Sequence, residues 1–215
     1  MLTKQEKAMI KGSGTDSMER GTINEIKAKH ILKNMGCTRL RYIRNKKEQK
    51  VLGDIKFSPP KDRTRTMSAE VKTGRLYKGK HILSIDISYA YKTGHDKYYQ
   101  QNTDDGYLGW LYHCKADLII VVFEDISYVI YNGAYLLDLV SDDISNNITL
   151  EDIYTGRRDV PITTGLTGAF FQNSYKTKDD KLHYTMKHTY IANVDLDAYL
   201  NKNDIKYKIV KTPQI

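Results

Sequence analysis

The spacing of apolar positions changes several times along this chain, and each change predicts an element. Over TINEIKAKHILKNMG (22–36), Ala28, Ile31, Leu32 and Met35 recur every three or four residues and Gly36 is a natural stop, which predicts an amphipathic helix. Residues 1–20 read as a short helix and then a Gly/Ser linker around Gly12-Ser13-Gly14. Past the helix the pattern predicts strands over 38–44, 51–57, 67–72 and 81–88, the last setting Leu83, Ile85 and Ile87 against Ile82, Ser84, Asp86 and Ser88. ADLIIVVF (116–123) is continuously apolar, as expected of a strand buried on both faces, and ISYVIYN (126–132) reads as its hairpin partner. AYLLDLV (134–140) predicts a covering helix; a strand at 183–193, a helix at 195–201 and a strand at 204–210 close the chain. The tyrosine-rich stretch 89–101 has no clear period, 106–116 fits either a helix or a strand, and 141–180 reads as loop-rich. Helices placed before and after several strands describe an α/β or α+β fold, a mixed sheet flanked by helices. The expected organisation is a lead-in over 1–20, a core over 21–140, and a C-terminal elaboration over 141–215 packed on the same domain.

Composition narrows the class. The 215 residues are 40% hydrophobic and 28% charged, enough apolar side chain for one sizeable core. No apolar run approaches the ~18 residues of a membrane span, and MLTKQEKAMIKGSG lacks the apolar centre of a secretory signal. Two cysteines, Cys37 and Cys114, provide neither a disulfide framework nor a cysteine zinc site, so a reducing cytoplasmic setting is expected. The charge of +8 is unevenly spread. Arg39, Arg41, Arg44, Lys46, Lys47 and Lys50 fall close together, and Lys61, Arg63 and Arg65 lie between the second and third predicted strands. Both clusters flank the chain's most informative carboxylates in sequence, the second lying between them, which makes a nucleic-acid backbone the expected partner.

Those carboxylates are Asp54, in VLGDIKF, and Glu70, in MSAEVK. The two-residue period of a strand sends Glu70 and Lys72 to one face and Val71 to the other. If the two strands form a hairpin across the break at Pro59-Pro60, Asp54 comes beside Glu70. Two carboxylates and an ammonium then converge, a set suited to a hard divalent cation with a lysine for a phosphate or an attacking water. Glu25 stands on the predicted helix at the edge of the apolar stripe, over Ala28 and Leu32. A pair with Lys29, four residues on, would account for it alone; beside Asp54 and Glu70 it becomes a third carboxylate for the same cation.

A helix bearing Glu25, a strand with Asp54 and a strand with Glu70-Val71-Lys72 together resemble the PD-(D/E)XK nuclease superfamily, and the strands that follow look like those of its small phage-encoded members. The resemblance covers roughly residues 19–140, and Gly53 stands where the family nominally has proline. It implies a restriction-endonuclease-like fold and a metal-dependent endonuclease that hydrolyses DNA phosphodiesters. It further implies Mg2+ (or Mn2+) held by Asp54, Glu70, the Val71 carbonyl and Glu25, with Lys72 assisting the water or the phosphoryl oxygens. Cutting both strands takes two sites, which a homodimer would supply.

Other features carry less. Gly74-Arg75-Leu76-Tyr77-Lys78-Gly79-Lys80 approaches a phosphate-binding P-loop, but His81 replaces the expected Ser or Thr and a strand follows where a helix belongs. A hairpin loop explains it better, leaving a nucleotide-binding protein as the distant rival. His183 and His188 match no metal spacing. Lys92, Lys97 and Gln101, among the tyrosines of 89–101, are further candidate substrate contacts. Asp86 is a candidate accessory acid, one predicted strand beyond Glu70. The nearer rival is a nucleic-acid-binding protein on a nuclease-like scaffold without turnover.

Overall fold

The computed structural model describes residues 2–93, 97–99, 110–148, 160–176 and 184–215, with six helices and twelve strands among them. The fold is α+β with two sheets. By internal contacts the chain forms two units, one of Met1–Leu83, Cys114–Leu136 and Asn203–Ile215, the other of Ser84–His113 and Leu137–Lys202.

The first unit opens with helix α1 (Lys4–Lys11), closed at its start by a capping box between Thr3 and Glu6. Helix α2 (Asp16–Asn34) begins earlier than its apolar period suggests, because Thr15 caps it and accepts from the Met18 amide. Strand β1 (Thr38–Tyr42), helix α3 (Lys46–Leu52), and strands β2 (Ile55–Ser58), β3 (Met67–Thr73), β4 (Arg75–Tyr77) and β5 (Lys80–Thr93) follow. Strands β7 (Leu118–Val122), β8 (Ile126–Tyr131) and β12 (Tyr207–Lys211) complete a six-stranded sheet in the order β1-β2-β3-β7-β8-β12. The sheet is mixed, with β3 and β7 parallel and its other neighbours antiparallel. Its last strand thus comes from the stretch expected to be a C-terminal elaboration.

One face of this sheet carries the core. Ala28, Ile31 and Leu32 of α2 pack on Ile55, Phe57, Ala69, Val71, Leu118, Ile120 and Val122. These residues alternate along β2, β3 and β7, as the period of two requires. All five residues of β7 are buried, as its unbroken apolar run predicts.

The segment 74–80 is a hairpin, as expected. Tyr77 pairs with Lys80 across Lys78 and Gly79, both at positive φ, the geometry of a two-residue type I′ turn. No helix follows it to receive phosphates.

The second sheet runs β4-β5-β11-β10-β9, with β6 (Lys97–Tyr99) on β5. It takes in β9 (Val160–Thr163), β10 (Leu166–Lys176) and β11 (Tyr184–Asp195). Segment 141–180 is therefore not loop-rich throughout: helix α5 (Gly133–Asn147) runs past its expected end, and β10 pairs with β11 over eleven positions. The ambiguous segment 106–116 holds the short helix α4 (Trp110–His113), and α6 (Leu196–Lys202) lies where a helix was expected. Asp86 belongs to this second sheet and not to a strand beside Glu70; β3 lies between β2 and β7.

Candidate active site

The β2–β3 hairpin sets the geometry. Ile55 stands opposite Ala69 and Lys56 opposite Ser68, so the same register brings Asp54 to Glu70. The Asp54 amide donates to the Ala69 carbonyl at 2.8 Å, and the Val71 amide donates back to Asp54 Oδ2 at 2.8 Å. Gly53 makes this approach feasible. Its φ of 82° lies in the left-handed range, and a Cβ there would meet the Ala69 oxygen and the Glu70 nitrogen at 2.7 Å. Proline, fixed near −65°, cannot adopt that φ, and it would forfeit the bond from the Gly53 amide to the Gln49 carbonyl at 2.9 Å. Glycine at position 53 thus has a local physical reason.

Asp54 and Glu70 are 8% and 7% exposed; their neighbours Ile55, Ala69 and Val71 belong to the α2 core, so strand alternation assigns the two acids to the other face. Burying two acids side by side demands compensation. Lys72 supplies part of it, pairing its Nζ with Glu70 Oε1. Gln49 supplies more, its Nε2 donating to Asp54 Oδ1 at 2.6 Å. Gln49 was not anticipated, because the charged run 46–50 read only as a basic patch and Val51-Leu52 as the start of a strand. Those residues form α3, seven residues long, capped by Asn45, whose Oδ1 accepts from the Lys47 and Glu48 amides, and ended at Gly53. Asn45 and Gly53 were the readable signals.

Burial pushes the Glu70 carboxyl above its usual range; the Lys72 ammonium opposes this and Asp54 adds to it. Burial pulls the Lys72 ammonium down most strongly, but the charge and hydrogen bond of Glu70, with Asp54 and Cys114 behind them, together outweigh it and raise the group, so Lys72 stays charged. Cys114, buried near the same charges, is driven up to about 12 by burial and then by Glu70, which makes it an unreactive thiol.

Glu25 reaches the margin of this group. Asn24 beside it donates to Thr73 Oγ1 at 2.7 Å, tying α2 to the end of β3. Burial, then Asp54, raise the Glu25 carboxyl to about 7; Arg44 and Lys72 work against them, and Glu70 with them. Its close partner is Arg44, at 3.7 Å, and not Lys29, which pairs with the buried Glu6. Among the described residues no three His, Cys, Asp or Glu side chains gather closely enough to hold a metal. The assembled donors are two carboxylates with an ammonium and amides beside them. Such a set fits a hydrated Mg2+, which commonly takes one or two carboxylates and fills its shell with water and phosphate. The contact made by Val71 is through its amide.

The basic residues disperse. Arg39 and Arg41 line a 430 Å³ pocket with Lys56. Arg44 turns to Glu25 and Tyr42, and Arg65 pairs with Asp117 at 3.5 Å. Lys46, Lys47, Lys61 and Arg63 are exposed. Lys92 stands opposite Tyr98, and Lys97 opposite Thr93, but the side chains of these lysines lie outside the described residues, as do Gln101 and His183. No described helix is long and apolar enough to cross a membrane. Comparison with family models, curated proteins and solved structures gives no match to this chain.

Proposed function

We propose that the protein is a metal-dependent endonuclease of the PD-(D/E)XK kind, with a restriction-endonuclease-like first unit acting on DNA. The observation that carries this reading is the convergence of Asp54, Glu70 and Lys72 on the face of the sheet opposite its α2 core. A structural ion pair needs one acid and one base. A second buried carboxylate beside the first, held by two directed hydrogen bonds, is costly and supports a cation-binding role.

Asp54 and Glu70 would hold Mg2+ (or Mn2+), with Gln49 and the Val71 amide fixing the Asp54 carboxylate so that its remaining lone pairs stay oriented. When bound, the ion supplies Lewis acidity to a phosphoryl oxygen and lowers the pKa of a coordinated water. Lys72 presents ammonium donors to the attacking water or to charge building on the phosphate. Glu25, titrating near neutrality, bounds the site beside α2 and is available to exchange a proton. The exposed cations of α3 and of the loop between β2 and β3 would contact the strand backbone.

The test is a cleavage panel. Plasmid, linear duplex, single strand, four-way junction and RNA are incubated with Mg2+, Mn2+ or EDTA, using wild type, Asp54→Asn and Lys72→Ala. Metal-dependent cutting lost in both variants is the expected result, and the preferred lane names the substrate. Retardation of DNA with every lane intact would sink the nuclease reading and leave a binding protein.

A further inference from the structure

The pocket at the edge of the first sheet is lined by Arg39, Arg41, Lys56, Phe57, Ser58 and Thr66, three cations with no acid among them. Ordinary sheet chemistry disfavours it. Arg41 and Lys56 are direct cross-strand partners, and like charges so placed repel. Lys56 is partly offset by Glu48 of α3; Arg41 and Arg39 face the pocket beside it. The backbone is also strained to build it. Between the pairs Thr38–Ser58 and Arg41–Lys56 the register slips, and Arg39 sits at a φ of 53°, an uncommon conformation for an arginine. The extra residue brings Arg39 and Arg41 to the same pocket.

Two buried hydroxyls stand behind the pocket without lining it: among the described residues Ser68 Oγ and Thr38 Oγ1 meet no hydrogen-bond partner, an uncommon and unfavourable state. Thr38 pairs across the sheet with Ser58, a pocket residue, and Ser68 with Lys56, which lies two residues from Asp54 on the same face. Two residues of strand span about 7 Å, roughly one nucleotide step of an extended backbone.

We propose that this pocket is a phosphate subsite, which seats the phosphate of the polynucleotide next to the one that would lie over the Asp54–Glu70 site. The inference rests on the nucleic-acid reading above but not on turnover. Arg39 and Arg41 grip one phosphate between them, as guanidinium forks do, and Lys56 lends charge from below. The phosphate is either internal to a strand or the terminal 5′-phosphate, and the two sources are separable.

The experiment is fluorescence anisotropy in EDTA, with a 3′-labelled 12-nucleotide single-stranded DNA, with and without a 5′-phosphate, over a range of salt. The proteins are wild type, Arg39→Asn, Arg41→Gln, the double variant, and Lys208→Gln as an exposed control on β12. Asn tolerates the left-handed backbone, so Arg39→Asn keeps the bulge, and circular dichroism verifies each fold. Each single variant should weaken binding several-fold and flatten the log Kd against log salt slope by about 0.7, the release expected for one single-strand phosphate. The double variant should flatten it little further, because both arginines serve one phosphate. Equal losses on both probes identify an internal phosphate; a loss confined to the phosphorylated probe identifies the terminal one. Slopes unchanged from wild type, or equal to that of Lys208→Gln, overturn the subsite. Wild type run with Mg2+ separates the two readings, since absent cleavage would refute the nuclease and leave the slopes to judge the pocket.

Discussion

Glu25→Gln should stabilise the protein at high pH and leave it unchanged in acid. The substitution keeps size and reach and deletes a charge that the fold tolerates poorly. Burial and the neighbouring Asp54 raise this carboxyl from 4.5 to about 7. A rise of roughly 2.5, at about 1.36 kcal/mol for each pH unit, corresponds to about 3 kcal/mol. A folded pKa above the unfolded one means the native protein keeps a proton that the unfolded chain releases. Wild-type stability therefore falls as pH rises through the window from 4.5 to about 7, and the loss is complete above it. Below the window both states are protonated and the cost vanishes. The amide of the variant carries no such proton, so its advantage should reach about 3 kcal/mol at about pH 8 and vanish near pH 4. Arg44 loses its partner, but its side chain is 55% exposed, so this returns at most a fraction of a kcal/mol. The assay is urea unfolding followed by circular dichroism in EDTA at pH 4, 6 and 8. A gap that does not vary with pH, or a variant weaker than wild type at pH 8, would refute the reasoning.

Two further outcomes follow from the same site. Gly53→Ala forces a side chain onto a φ of 82° and a Cβ to within 2.7 Å of the β3 backbone, so it should cost about 3 kcal/mol or more. Denaturant titration checks this, and a loss below about 0.5 kcal/mol would mean that β2 and β3 do not meet in this register. Lys72→Met strips the buried Glu70 of its ammonium and should cost about 3 kcal/mol at neutral pH. The deficit should shrink as acid protonates Glu70, and Lys72→Met with Glu70→Gln should recover most of it. A double variant no more stable than the single one would show that the ion pair is not what makes Glu70 tolerable.

What the sequence made legible was local. The pairing of Asp54 with Glu70 follows from two short strands and one break between them. Strand parity then assigns Glu70 and Lys72 to one face and Val71 to the other. Helix α2 was readable from Ala28, Ile31 and Leu32, all buried as the stripe requires. What stayed hidden depended on partners distant in the chain. β10 runs LTGAFFQNSYK, where adjacent Phe170 and Phe171 break any alternation with the polar and small residues around them, and its strand character comes from its long antiparallel ladder with β11. Asp86 drew notice as an accessory acid, against the plainer reading of a polar-face residue, only because its predicted strand follows that of Glu70 in sequence. The sheet instead pairs β3 with β7, a parallel pairing across more than forty residues that no local periodicity encodes.

The basic clusters make the sharper case, because sequence proximity there was a poor guide to shared space. Arg39, Arg41 and Arg44 lie within six residues, yet the first two line the pocket while Arg44 joins Glu25 on the α2 side. The residue that changes the outcome is the bulge at Arg39: without it Arg41 would slip one position against β2 and turn toward the core face. Lys56, which entered no cluster, is drawn in because it lies opposite Arg41 and two residues from Asp54. Position along paired strands, and not charge density along the chain, therefore sets which cations share a face, and so what a polyanion laid on the sheet would meet. A strand backbone laid over Asp54 and Glu70 would meet Lys56 and Arg41 next along the same face, and would reach Arg44 only by way of Glu25.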